Sequence, residues 1–194
     1  MKQKANRIRN RAWIITMAAI FAVLSAAGQA SYKQTGAITI AGTSTMHDWT
    51  MTSKEVNYNA GFELGADGTP TRLNTVSVTL PAESLKSGKG AMDNNAYKAL
   101  KTDKNKQIIF QLTTSKITGK TIVCSGNLTI AGTTKPVDVD VTYEVKNGNM
   151  VCKGSKKIKM TDFNVEPPSF MFGSVKTGDE ITVTFDVTLA QIKI

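Results

Sequence analysis

Val137-Asp138-Val139-Asp140-Val141-Thr142-Tyr143-Glu144-Val145-Lys146 alternates apolar and polar residues without a break. Successive side chains of an extended strand point to opposite faces, so this segment has one greasy face and one wet face. Asn147-Gly148 follows it, and both residue types accept the positive φ of a tight hairpin turn. An extended pattern then resumes over Val151 to Met160. On the other side, Thr121 to Ala131 sets Cys124, Gly126, Leu128 and Ile130 on one face. Val123, Ser125, Asn127 and Thr129 fall on the opposite one, and Gly132 to Lys135 turns the chain into Val137.

The same register places the two cysteines. A tight turn at Gly132 sets Cys124 opposite Tyr143, and a tight turn at Asn147 sets Cys152 opposite Tyr143 as well. The thiols then flank one strand about 9.5 Å apart, two strand spacings. A disulfide tolerates a Cα separation of only ~7 Å. Two free, inward-pointing thiols are expected, against the usual pairing of cysteines in exported chains.

Further out the alternation continues. Ala37 to Ala41, Ala60 to Leu64 and Val76 to Leu80 read as strands, the last ended by Pro81, and Met46 to Tyr58 contains another with Trp49, Met51 and Ser53 on one face. Gln107 to Leu112 and Ile181 to Leu189 complete the set. Between them, Met92 to Leu100 has the spacing of a short helix, with Met92, Ala96 and Leu100 on one face and Asp93 near its start. Eight or nine strands with one apolar face would expose that face and two edges if left open. The fold class is therefore all-β: an antiparallel, lipocalin-like closed barrel of about eight strands with the short helix at one end.

The 194 residues suit one domain behind a targeting segment. Lys2, Lys4, Arg7, Arg9 and Arg11 precede an apolar run from Trp13 to Ala27, and Gly28-Gln29-Ala30 supplies small residues. That order is a secretory signal peptide over residues 1–30, cleaved near Ala30, ahead of one domain over residues 31–194. An uncleaved anchor is the alternative, but the run is short of the ~20 residues that span a bilayer. Without those five cations, 19 of the 24 basic residues remain against 15 acids, a net charge of +4. That is an ordinary solubilising charge. Aromatic residues do not interleave with the lysines, which weighs against nucleic-acid stacking, and no nucleic-acid partner is expected.

Chemistry-bearing patterns are sparse. His47 is the only histidine, beside Asp48. Adjacent residues on a strand face opposite ways, and one histidine with no cysteine nearby makes a poor metal site. Either His47 or Asp48 bonds backbone at a barrel end, or His47 touches a polar ligand head group. Nucleophile elbows, phosphate loops and zinc spacings are absent, so neither catalysis, a cofactor nor a metal is expected. Lys153, Lys156, Lys157 and Lys159 read as a solvated face, or as a contact for anionic phospholipid or a lipid diphosphate. Pro167-Pro168 stiffens a loop presenting Phe170, Met171 and Phe172, either a plug for the barrel mouth or a ligand contact there.

Four stretches resemble one family. Gly42-Thr43-Ser44-Thr45-Met46-His47-Asp48-Trp49 is similar to the opening of YceI-like proteins. Ser125 to Val137, reading S-G-N-L-T-I-A-G-T-T-K-P-V, is similar to their central hairpin. Met160 to Val165 and Val175 to Val183 are similar to their closing motifs. The resemblance runs from about Gly42 to Leu189. It implies a periplasmic or secreted barrel that sequesters a long isoprenoid-type lipid, with transient membrane contact as one way of receiving it.

On that implication, the inward positions become candidate lumen residues. These are Phe62; Val76, Val78 and Leu80; Phe110 and Leu112; Leu128; Val141 and Tyr143; Phe185 and Val187; and, at the mouth, Phe170 and Phe172. The competing reading is a structural or interaction barrel filled by its own side chains. The oligomeric state is open, a homodimer among the alternatives.

Overall fold

The computed structural model describes residues 32–66, 69–170 and 173–191. The segment read as a signal peptide, with its cleavage point near Ala30, lies outside the described residues. Ten strands form: β1 (Tyr32–Ser44), β2 (Trp49–Ser53), β3 (Asn57–Leu64), β4 (Pro70–Pro81), β5 (Gln107–Thr118), β6 (Thr121–Ile130), β7 (Thr133–Lys146), β8 (Asn149–Lys159), β9 (Ser169–Phe170) and β10 (Val175–Gln191). One helix, α1 (Gly90–Leu100), lies between β4 and β5. The sheet order is β2-β1-β10-β8-β7-β6-β5-β4-β3, with β9 attached to β10, and every pair is antiparallel.

The barrel expected from the alternation forms, and its closure is approximate: one sheet curls into a half-barrel. The reason lies at its ends. β2 folds straight back onto β1 and occupies its free edge from Ile38 to Gly42. β3 approaches β1, but no ladder joins them among the described residues.

Two-residue turns set the register. Asn147 and Gly148 have φ of 52° and 75°, as the sequence predicts, and Tyr143 lies opposite Cys152. The preceding turn is Ala131-Gly132, with φ of 49° and 80°. It is one hairpin step tighter than the sequence suggests, because alanine rarely takes a left-handed conformation. Cys124 therefore faces Val139 rather than Tyr143, a correction to the expected register. Both thiols are nevertheless free and buried.

The inner face carries two groups of buried side chains. Toward α1 lie Met51, Leu85, Ile108, Ile130, Ile158, Phe163 and Ile181, with Met92, Ala96 and Leu100 of the helix packed on them. The helix thus caps one end along the face its spacing indicates. Toward the other end Phe62, Leu73, Ile122, Tyr143, Met150 and Leu189 form a plug, and Tyr143 Oη donates to the Gly119 carbonyl at 3.1 Å.

Two glycines decide how the larger rings lie. A Cβ at Gly126 would stand 2.4 Å from the Phe110 ring, and one at Gly154 would stand 2.5 Å from the Phe185 ring. Each phenyl group rests directly on bare backbone and so lies against the wall. Gly126→Val should displace the Phe110 ring and cost about 1–3 kcal/mol of stability. Chemical denaturation of the two proteins checks this, and an unchanged midpoint would refute the seating.

Candidate functional site

The space inside the barrel is divided in two. An inner cavity of about 200 Å³ lies within the strands, and an outer cavity of about 460 Å³ lies between the strand ends, α1 and the segment around Phe163 and Phe170. Five isoleucines border both: Ile40 on β1, Ile108 on β5, Ile130 on β6, Ile158 on β8 and Ile181 on β10. One comes from each of five strands, so they form a waist where the cavities meet. Alternation explains this, since each is an inward position near the helix end of its strand. The outer volume is on the scale of small-molecule sites and the inner one is smaller, and the walls of both are carbon and sulfur with few polar atoms.

The candidate residues distribute unevenly. Phe62, Val76, Val78, Leu80, Phe110, Leu128, Val141, Phe185 and Val187 all border the inner cavity. Leu112 and Tyr143 belong instead to the plug. Phe170 reaches the outer cavity from β9, whereas Phe172 lies outside the described residues. Sequence reasoning missed the rest of the outer cavity: Trp49, Met51, Met92, Ala96, Met160 and Val165. The helical face Met92–Ala96–Leu100 was legible as a cap, but nothing in it indicates a void beneath.

His47 borders the outer cavity on the short link between β1 and β2. That link is a hydrogen-bonded turn. Ser44 Oγ accepts the backbone N–H of Met46 and of His47, each at 3.2 Å, and donates to the His47 carbonyl at 2.7 Å. His47 Nδ1 lies 2.8 Å from the Asp48 carbonyl. Gly42 pairs with Trp49 across the strands, and the indole lies over the glycine while its Nε1 donates to the Thr43 carbonyl at 3.0 Å. The motif is thus a joint at the barrel mouth, with the imidazole as one polar group on the cavity rim. Among the described residues no three His, Cys, Asp or Glu side chains cluster as metal ligands, and no helix is long and apolar enough to cross a membrane.

Polar anchors hold the mouth. Asp93 of α1 accepts the Ser87 backbone N–H at 2.8 Å and the Ser87 hydroxyl at 2.6 Å, which pins the loop before the helix. Asp179 of β10 accepts the Thr161 N–H at 2.9 Å and its hydroxyl at 2.7 Å. Those hydrogen bonds lower both carboxyl pKa values below the usual range. A depressed folded pKa stabilises fully above the unfolded value and is lost as pH falls through the folded one. The thermal midpoint should therefore drop as pH falls below about 4. Asp93→Asn and Asp179→Asn should each flatten that drop, as differential scanning calorimetry over a pH series would show.

The thiols are chemically quiet. Burial pushes Cys124 up to about 11, helped by Asp140, and Cys152 up to about 12. At pH 8 only about one part in a thousand of the Cys124 thiol would be thiolate. Native protein should resist iodoacetamide at both positions and take up two labels once unfolded. Rapid labelling of the native form would overturn that burial. Tyr58 Oη is also buried and has no hydrogen-bond partner among the described residues. Desolvation raises its pKa to about 12.

A family model described as the YceI-like domain matches residues 46–189. No curated protein matches the chain. Similar solved structures include Burkholderia cenocepacia BcnA, at 18% identity and a TM-score of 0.68, over 79% of this chain and 95% of that one. A polyisoprenoid binding domain from Saccharophagus degradans, implicated in plant cell wall breakdown, aligns at 11% identity with a TM-score of 0.61, over 84% and 99%. The Campylobacter jejuni YCEI protein aligns at 20% identity with a TM-score of 0.56, over 71% and 82%. At these identities the likeness is one of fold.

Proposed function

The chain belongs to the YceI-like family, and from that premise we propose that it is an exported binding protein, without catalytic activity, that shelters the apolar tail of an isoprenoid-type lipid. The observation that carries this reading is the pair of apolar cavities meeting at the isoleucine waist. A barrel filled by its own side chains would leave no such space. The lipid-binding name of the Saccharophagus degradans domain supports the same ligand class.

The driving force is transfer of the tail out of water. Each ~100 Å² of apolar tail surface buried contributes about 2.5 kcal/mol before the costs of association and ordering. Shape matters more than any single contact, which suits a wall of Val, Ile, Leu and Phe. Loading takes place at the mouth, where Met46 is 66% exposed on the cavity rim and Lys89 lies on the same rim. That combination of an apolar side chain and a cation suits brief contact with a membrane surface.

Native mass spectrometry of gently purified protein should reveal a co-purifying lipid mass. Ala96→Trp puts an indole into the outer cavity from the helix. It should cut binding of a fluorescent polyene lipid by about ten-fold or more, while circular dichroism stays unchanged. Full binding by a folded Ala96→Trp protein would eliminate the lumen as the site.

A further inference from the structure

The wall of the inner cavity has a break that neither the lipid reading nor the sequence pattern anticipates. β7 and β8 pair from Lys146↔Asn149 only as far as Val141↔Gly154. Beyond that point β7 bonds only to β6, through Thr133 to Asp140, and β8 bonds only to β10, through Ser155 to Lys159. The 3₁₀ turn Thr161–Phe163 touches both strands at the far end, where Asn164 Nδ2 donates to Thr133 Oγ1 at 3.1 Å. Between that bridge and Gly154 no ladder joins β7 to β8, which leaves a slit in the pairing.

Val137, Val139 and Val141 border the inner cavity on one side of the slit, and Lys156 and Ile158 border it on the other. Lys156 is the single charged residue on the inner-cavity wall among the described residues. Its neighbours along β8 face outward and are already neutralised, Lys153 by Asp186 at 2.7 Å and Lys157 by Glu180 at 2.9 Å. No carboxylate pairs with Lys156 among the described residues. On β7, Asp138 and Asp140 alternate with the inward valines and are exposed on the outer face. An ammonium beside an apolar cavity is attracted to an anion more strongly than one on an open surface, because the low-dielectric wall screens less.

We propose that the slit between β7 and β8 holds the ligand's polar end, and that Lys156 pairs with an anionic phosphate head while the tail lies in the lumen. This rests on the lipid-sheltering reading and adds to it a location for the polar end, in the wall beside the waist, where Ile158 borders both cavities. Lysine at an apolar boundary lays its stem on the apolar wall and keeps its charge at the polar side, and Lys156 shares the inner-cavity wall with Val137, Val139 and Val141.

Farnesyl phosphate and farnesol, titrated by displacement of a fluorescent fatty acid, separate the possibilities. The unaltered protein should bind the phosphate more tightly than the alcohol. Lys156→Gln should weaken the phosphate by about ten-fold or more and leave the alcohol unchanged. Lys159→Gln, an outward position on the same strand, should change neither. Equal losses in Lys156→Gln and Lys159→Gln would mean a diffuse surface charge and overturn the assignment. So would a Lys156→Gln protein, folded by its thermal midpoint, that binds the phosphate as before. If the unaltered protein bound neither lipid, the lumen reading itself would fail, and the head-group site with it.

Discussion

The hollow depends on where two phenyl rings lie. A cylinder of about eight strands has an interior that ordinary side chains can fill. Empty space there requires that inward volume be removed, and Phe110 on Gly126 and Phe185 on Gly154 remove it. Each ring takes the place of a neighbour's missing side chain and lies along the wall instead of projecting across the lumen. The remaining inward positions around them are mostly Val and Ile, which are short and stiff at χ1. A void lined by such residues resists collapse, since filling it would need rotamers or backbone shifts that close-packed walls oppose.

Much of this architecture was legible in the sequence, because a period of two is hard to hide. The strand from Val137 to Lys146 announced its faces, and the inward sets on β4, β5 and β10 followed from the same rule. Register was less secure. Asn147-Gly148 advertises its turn chemically, whereas Ala131-Gly132 does not, since alanine carries no mark of the left-handed conformation it adopts. The prediction of free thiols survived that slip because both cysteines still point inward on strands separated by β7. Depth was illegible. Alternation puts Tyr143 and Val139 on one face, yet only the three-dimensional curl sets Tyr143 in the plug and Val139 beside the void. Parity was overlooked for another reason: in the run of lysines on β8, charge masks the fact that Lys156 alternates with Lys153, Lys157 and Lys159.

The segment from Gly42 to Trp49 gathers a histidine, an aspartate and a tryptophan, yet its sequence already favours backbone bonding at a barrel end, and His47 Nδ1 lies against the Asp48 carbonyl. Ser44 closes the turn, the Trp49 ring covers Gly42, and Thr45 fastens the turn to β10 through the Lys176 carbonyl and N–H. A short joint is needed there because β2 must reverse at once to lie on β1. The same residues that make the motif distinctive therefore shape the mouth.

The two ends of the barrel are built from different forces, and the difference bears on how anything enters. The far end is sealed by apolar side chains buried together, so opening it would expose Phe62, Leu73, Met150 and Leu189 to water at a cost close to that of unfolding. The helix end is held partly by apolar contact, but its loops are fixed by hydrogen bonds at Ser87, Asp93, Thr161 and Asp179. Such bonds to a carboxylate exchange with water at a net cost of about 1.5–3 kcal/mol each. Segments held this way open locally well before the whole structure does. On the proposed function, a tail would pass under α1, and the isoleucine waist is the narrow point it would cross to reach the inner cavity.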